Sequence, residues 1–214
     1  MSAHCCHAKE AEVAAAAARR ADVRKVLIVV LAINAAMFVV EFTAGLVAGS
    51  AALMADSADM FGDALVYAFS LYALDRSARW RAGAALAKGG FILVLGLAVL
   101  GQIGVKLAYG VPPETTLMLV FGGIALVANL ACLRLLWRFR ADDVNLSSTF
   151  ECSRNDVIAN VGVLVAAGGV AWTGAAWPDI AVAGVIAFLF LRSAVRVLRE
   201  AWPQFRRGAP QPAE

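Results

Sequence analysis

The sequence predicts an all-α membrane domain built from six transmembrane helices. Three observations carry that expectation. The chain of 214 residues is 61% hydrophobic and only 16% charged, with a mean hydropathy of +0.74. Apolar runs long enough to cross a hydrocarbon core of about 30 Å recur along it. Lys and Arg gather on every second connection and almost vanish from the others.

Residues 1–25 read as a cytoplasmic leader, 26–200 as the membrane domain and 201–214 as a short cytoplasmic tail. The leader opens with His4, Cys5, Cys6 and His7, and His4 and His7 are the two histidines of the chain. Such a tract is either a metal-capturing or sensing arm or a chance cluster on a terminus. The Ala-rich stretch Ala14 to Ala18 favours helix. Spans are then expected near 26–47, 50–74, 86–108, 115–137, 146–172 and 180–197. The connections after the first, third and fifth spans are short and carry Gly and Pro, ordinary helix breakers. In the first of these, Gly45 and Gly49 suit either close helix approach or a turn, and the turn is the simpler reading.

Charge placement sets the orientation. Arg19, Arg20, Arg24 and Lys25 precede the first span; Arg76, Arg79, Arg81 and Lys88 lie between the second and third. Arg134, Arg138 and Arg140 end the fourth, and Arg192, Arg196, Arg199, Arg206 and Arg207 close the chain. Near the other boundaries stands only Lys106. The positive-inside rule therefore places both termini in the cytoplasm of a multi-pass protein, read as residing in the cell's inner membrane. The four cysteines do not form a disulfide framework, the N-terminus is a poor signal peptide, and the arginines flank spans instead of forming a nucleic-acid surface.

The second span holds Asp56, Asp59 and Asp63. Each charge in a membrane segment costs roughly 2.5–3.5 kcal/mol on insertion scales, so three in one segment point to use. Asp59 and Asp63 are four residues apart and share a helical face. Such a pair holds a divalent cation, or shares a proton because both groups resist being ionised together. The fifth span repeats the spacing with Cys152 and Asp156. Entering from opposite sides, the two pairs lie roughly 13–20 Å and 9–15 Å deep at the helical rise. Both are near the middle of the bilayer, where Asp59, Asp63, Cys152 and Asp156 can meet as four ligands. Spans 2 and 5 are also the middle members of two three-span halves, which suggests an inverted repeat. Around this set, Asp56 reads as orienting a ligand or capping the span. Glu41, on one face of the first span with Asn34, reads as a partner to the site or a step in a proton path. Asn155 and Asn160 line a path or bond between helices. Arg154 neutralises part of the site's charge or points away, since two positions from Asp156 is about 160° round the helix.

These residues resemble the cation diffusion facilitator (cation efflux) family of proton-coupled exporters of divalent transition metals. The run Gly49 to Asp63 looks like that family's second span, in which His or Asp is followed four residues later by Asp. Asp156 with Asn160 matches the fifth-span Asp and the polar residue after it. The resemblance covers roughly residues 26–200. It implies a metal site of Asp59, Asp63, Cys152 and Asp156, in which Cys152 stands where the family usually has His. Thiolate favours Zn²⁺ and Cd²⁺, while the carboxylates admit Fe²⁺, Co²⁺ and Mn²⁺. Thiolate and carboxylate bind metal deprotonated, so metal and protons exchange at the site, giving metal/proton antiport. Most members carry a cytoplasmic ferredoxin-like domain after the sixth span; the expectation here is a short member without it. A homodimer would then form through membrane helices, along Gly89, Gly90, Gly96, Gly101 and Gly104, unless those glycines only pack spans within one chain. The expected partners are the metal ion, protons and membrane lipid, with no nucleic acid, no cofactor and no enzymatic activity. Two rivals use other features. An intramembrane aspartyl protease would pair Asp63 with Asp156 but lacks the Gly-x-Gly-Asp signature; a non-transporting metal sensor would work through His4 to His7.

Overall fold

The computed structural model describes residues 3–72, 78–140 and 144–207. They form six helices: α1 (Ala3–Ala48), α2 (Ala51–Tyr72), α3 (Ala78–Tyr109), α4 (Thr115–Trp137), α5 (Val144–Thr173) and α6 (Trp177–Arg207). No strand occurs among the described residues. Apart from α2, all the helices contain stretches long and apolar enough to cross a membrane. α1 runs unbroken past Lys25, because its Ala-rich start is strongly helix-forming and nothing before Gly49 interrupts it. His4, Cys5, Cys6 and His7 lie in its first turns, but their side chains, like residues 208–214 of the expected tail, are outside the described part of the structure.

α2 is the helix that the others enclose. It packs against α1, α3, α5 and α6, and every residue from Ala51 to Ala58 is buried. Ala51, Ala52 and Ala55 let neighbouring backbones approach closely, and they pack with Val163, Ala166, Ala167, Ala183 and Ala187 of α5 and α6. On the α1 side the approach is tighter still: a Cβ on Gly45 would stand 2.9 Å from the Met54 side chain. The chain reverses at Gly49, whose φ of +63° suits glycine. The Ser50 amide bonds to the Gly45 carbonyl at 2.8 Å and the Gly49 amide to the Leu46 carbonyl at 3.3 Å, the double bond of a Schellman cap. Thus Gly45 serves close approach and Gly49 serves the turn.

The same end of the molecule carries a buried ionic cluster. Asp179, in the first turn of α6, is fully buried and caps α2. It accepts from Ser50 Oγ at 2.6 Å, the Ala51 amide at 2.9 Å and the Ala52 amide at 3.1 Å. Lys106, from the last turn of α3, pairs with it at 2.9 Å. A carboxylate at a helix N-terminus completes the orphan amides and meets the positive end of the dipole. Nearby, the Glu114 amide donates to the Ala48 carbonyl at 2.9 Å, while the Glu114 side chain caps α4. The starts of α2, α4 and α6 and the ends of α1 and α3 are therefore gathered at one end, so α2 and α5 run antiparallel.

Of the α3 glycines, Gly89 and Gly96 face α6 within the same chain: an added Cβ would come within 2.7 Å of Leu198 and 2.4 Å of Leu191. Gly90, Gly101 and Gly104 face open space.

Replacing Asp179 by Ala removes the α2 cap and leaves Lys106 buried without its partner. Breaking a buried ion pair from one side costs about 3–5 kcal/mol. The Asp179→Ala protein is expected to unfold at markedly lower temperature in detergent, and Lys106→Met in the same chain should restore part of the loss. A double variant no more stable than Asp179→Ala would show that the stranded ammonium is not the cause.

Candidate functional site

The central helix carries its carboxylates into contact with two neighbours. Asp63 and Asp156 are both buried, and their carboxyl groups lie within hydrogen-bonding reach of one another across the α2–α5 contact. The buried Tyr67 hydroxyl, one turn further along α2, donates to Asp63 Oδ2 at 3.3 Å and lies within electrostatic range of Cys152. Asp59 and Cys152 are half-buried, and Asp59 acts on Asp156 through space.

In antiparallel helices with the same four-residue spacing, all four groups come level when Asp59 lies opposite Asp156 and Asp63 opposite Cys152. The carboxyl contact between the two helices is the diagonal one, Asp63 with Asp156. Among the described residues, no three His, Cys, Asp or Glu side chains converge as a ready metal cage.

A second acidic contact lies between α1 and α2. Glu41 and Asp56 are buried and their carboxyl groups face each other. Neither Glu41 oxygen, nor Asp56 Oδ2, has a hydrogen-bond donor; two carboxylates offer only acceptors until a proton enters between them. Asp56 is thus Glu41's partner, the sixth residue of α2 and well past its cap, which Asp179 supplies.

The other expected residues divide by face. Asn160 is fully buried, its amide donating to the Asp156 carbonyl at 2.9 Å while its Oδ1 has no partner. Asn155 is exposed. Arg154 is exposed too and pairs with Glu151 one turn earlier, on the outer side of α5. Successive helical residues are turned by about 100°, so residues adjacent to a buried Asp156 are carried off its face.

The profile of the cation efflux transmembrane domain matches residues 27–204. The chain belongs to the cation efflux family. Among its relatives are the metal cation efflux system protein CzcD of Cupriavidus metallidurans, 27% identical over 194 residues and covering 82% of this chain. The zinc transporter ZitB of Escherichia coli is 25% identical over 197 residues, covering 86%. The cadmium, cobalt and zinc/H(+)-K(+) antiporter of Bacillus subtilis is 23% identical over 202 residues, covering 88%. The chain spans 61%, 63% and 65% of those three proteins' own lengths.

Sequence reasoning missed several polar members of this cation efflux domain. Tyr67 stands one turn beyond Asp63, which the four-residue spacing foreshadows. Asn129 of α4 and Ser153 of α5 are buried, with Asn129 Nδ2 and Ser153 Oγ lacking partners. With Asn34 Oδ1 and Asn160 Oδ1 they leave a set of unsatisfied polar atoms on α1, α4 and α5, atoms of the kind that water or an ion ordinarily satisfies. Lys106 was noted only as a boundary charge and its pairing with Asp179 was missed, because the two are distant in sequence.

The Asp63–Asp156 contact is open to a direct check in a background lacking Cys132 and Cys152, with a protease site inserted between α3 and α4. Asp63→Cys with Asp156→Cys is expected to hold the two halves together on oxidation, since disulfides need Cα atoms within about 7 Å. Asp63→Cys with Asn155→Cys, on the exposed side of α5, should link far less. Equal yields would remove the contact.

Proposed function

We propose that this chain carries a divalent transition metal out of the cell in exchange for protons. Zn²⁺ and Cd²⁺ are its foremost substrates, and Fe²⁺, Co²⁺ and Mn²⁺ are chemically admissible. The observation that carries the reading is the buried Asp63–Asp156 contact between two helices of a cation efflux domain. The printed names of the relatives, which include zinc, cadmium and cobalt transport and exchange with H⁺, support it.

In this reading Asp59, Asp63, Cys152 and Asp156 take the metal. Bringing Asp59 and Cys152 onto the Asp63–Asp156 contact completes the four-ligand set around the metal. The ligands bind metal deprotonated, so loading releases protons and unloading requires them. The Glu41–Asp56 pair is the first place for such a proton, because it supplies the donor that both groups lack. Arg154 takes no direct part, since Glu151 occupies it. Both termini lie in the cytoplasm by the distribution of Lys and Arg. The chain acts as a transporter and not as an enzyme, and self-association runs through the membrane helices. His4, Cys5, Cys6 and His7 serve as a capture arm.

The decisive measurement is metal flux in proteoliposomes under a pH gradient. Asp63→Ala and Asp156→Ala should each lower Zn²⁺ flux by about a hundredfold or more, since losing only a hydrogen-bond partner of a ligand costs about 10–100-fold; flux at the wild-type level in either would sink the site. Cys152→His should keep zinc transport and lose cadmium preference, since imidazole is a harder donor than thiolate. Unchanged preference would remove Cys152 from the ligand set. Metal affinity measured by titration should rise with pH, because each proton released on binding strengthens it by up to about tenfold per pH unit. Glu41→Gln should leave zinc affinity near wild type while slowing proton-coupled flux; a proportionate loss of both would make Glu41 part of the metal site.

A further inference from the structure

Outside the acidic interior, α6 and α3 border a groove of about 690 Å³. It is open to the surroundings of the protein and has two unlike ends. Leu100, Gly184 and Phe188 line the part toward the middle of the molecule; Arg192, Arg196 and Arg199, with Val195 between them, line the part toward the chain termini. The three arginines are spaced at i, i+4 and i+7, which places them in one stripe of α6. All three are exposed, and none forms an ion pair with a described acidic side chain. From Gly184, at the apolar end, to Arg199 the stripe is about 22 Å long at the helical rise.

Depth sharpens the point. Arg192 follows the start of α6 at Trp177 by fifteen residues, or about 22 Å. In a hydrocarbon core of about 30 Å it therefore enters the inner part of the core on the surface that meets lipid. An exposed cation at that depth requires an anion brought to it or must snorkel toward the interface. The groove supplies a place for that anion and, directly above it, an apolar slot.

We propose that this groove is a binding site for one anionic phospholipid of the leaflet on the side of the termini. Its phosphate is held by Arg192, Arg196 and Arg199, and one acyl chain lies along Leu100 and Phe188 toward Gly184. Charge decides between occupants. A second copy placed here by two-fold symmetry would set the same arginine stripe near its own image. A free inorganic anion would satisfy the arginines and leave the apolar half uncovered. An anionic lipid matches both halves, as basic sites between membrane helices do for acidic headgroups.

The test titrates the detergent-solubilised full chain with phosphatidylglycerol or phosphatidylcholine and counts bound lipid by native mass spectrometry. The wild type is expected to retain one phosphatidylglycerol, with a preference on the order of tenfold or more over phosphatidylcholine. Arg192→Gln/Arg196→Gln/Arg199→Gln should reduce that preference to about twofold or less, while Arg138→Gln/Arg140→Gln, at the end of α4, should leave it intact. Gly184→Leu is independent of the arginines. A side chain there meets open space within the chain, so packing is undisturbed, yet the apolar slot narrows. It should weaken both lipids equally, and it keeps the proposal testable if the triple variant does not fold. The assignment is overturned by undiminished preference in the triple variant, by equal binding of the two lipids to the wild type, or by displacement of the lipid with inorganic phosphate alone. It is also overturned if the lipid-free chain is a dimer that Gly184→Leu separates, which would give the groove to a second copy.

Discussion

The buried carboxylate of Asp179 holds α2 in place. One side chain from the start of α6 completes the amides of Ala51 and Ala52, binds Ser50 and takes the charge of Lys106 from the end of α3. The starts of α2 and α6 and the end of α3 meet at it. α2 is the helix most enclosed by others, and it bears Asp56, Asp59 and Asp63. Its position against α1 and α5 follows from where its first turn is anchored. The small residues that follow then let the neighbouring helices close around it.

Two kinds of buried acid stand side by side in this domain. Asp179 has a cation and three hydrogen-bond donors, and it is structural. Glu41, Asp56 and Asp156 are also buried, but no described Lys or Arg forms an ion pair with them. Lys106 is occupied by Asp179, and Arg154 by Glu151. Acids inside a membrane protein without a fixed counter-ion take one from outside the chain, a proton or a metal ion. The proposed exchange of metal for protons needs acids satisfied in this replaceable way, because a permanent internal cation would close the site to its cargo.

The spacing of charged residues made much of the site legible. The pairs Asp59/Asp63 and Cys152/Asp156 follow from the helical period alone, and so does the turning away of Arg154 from the face of Asp156. The glycine turn at Gly49 was legible for the same local reason. What was not legible was which of these groups touch. A shift of one turn leaves every helical face unchanged, so no pattern within either segment says that Asp63 reaches Asp156. Glu41 and Asp56 were each noticed, yet their pairing depends on how closely Gly45 brings α1 to Met54.

The sequence by itself determined an all-α membrane fold, the order of its helices and the faces on which its acids stand, because hydropathy and the helical period are local properties of the chain. Tertiary structure decided which acid meets which. It joined Ser50 and Lys106 to Asp179, Glu41 to Asp56 and Asp63 to Asp156, and it gave Arg192, Arg196 and Arg199 a common groove with Leu100 of another helix. Apart from the alignment of the arginines along α6, these are relations between helices. They are set by the depth and rotation at which each helix packs, quantities that no single segment encodes.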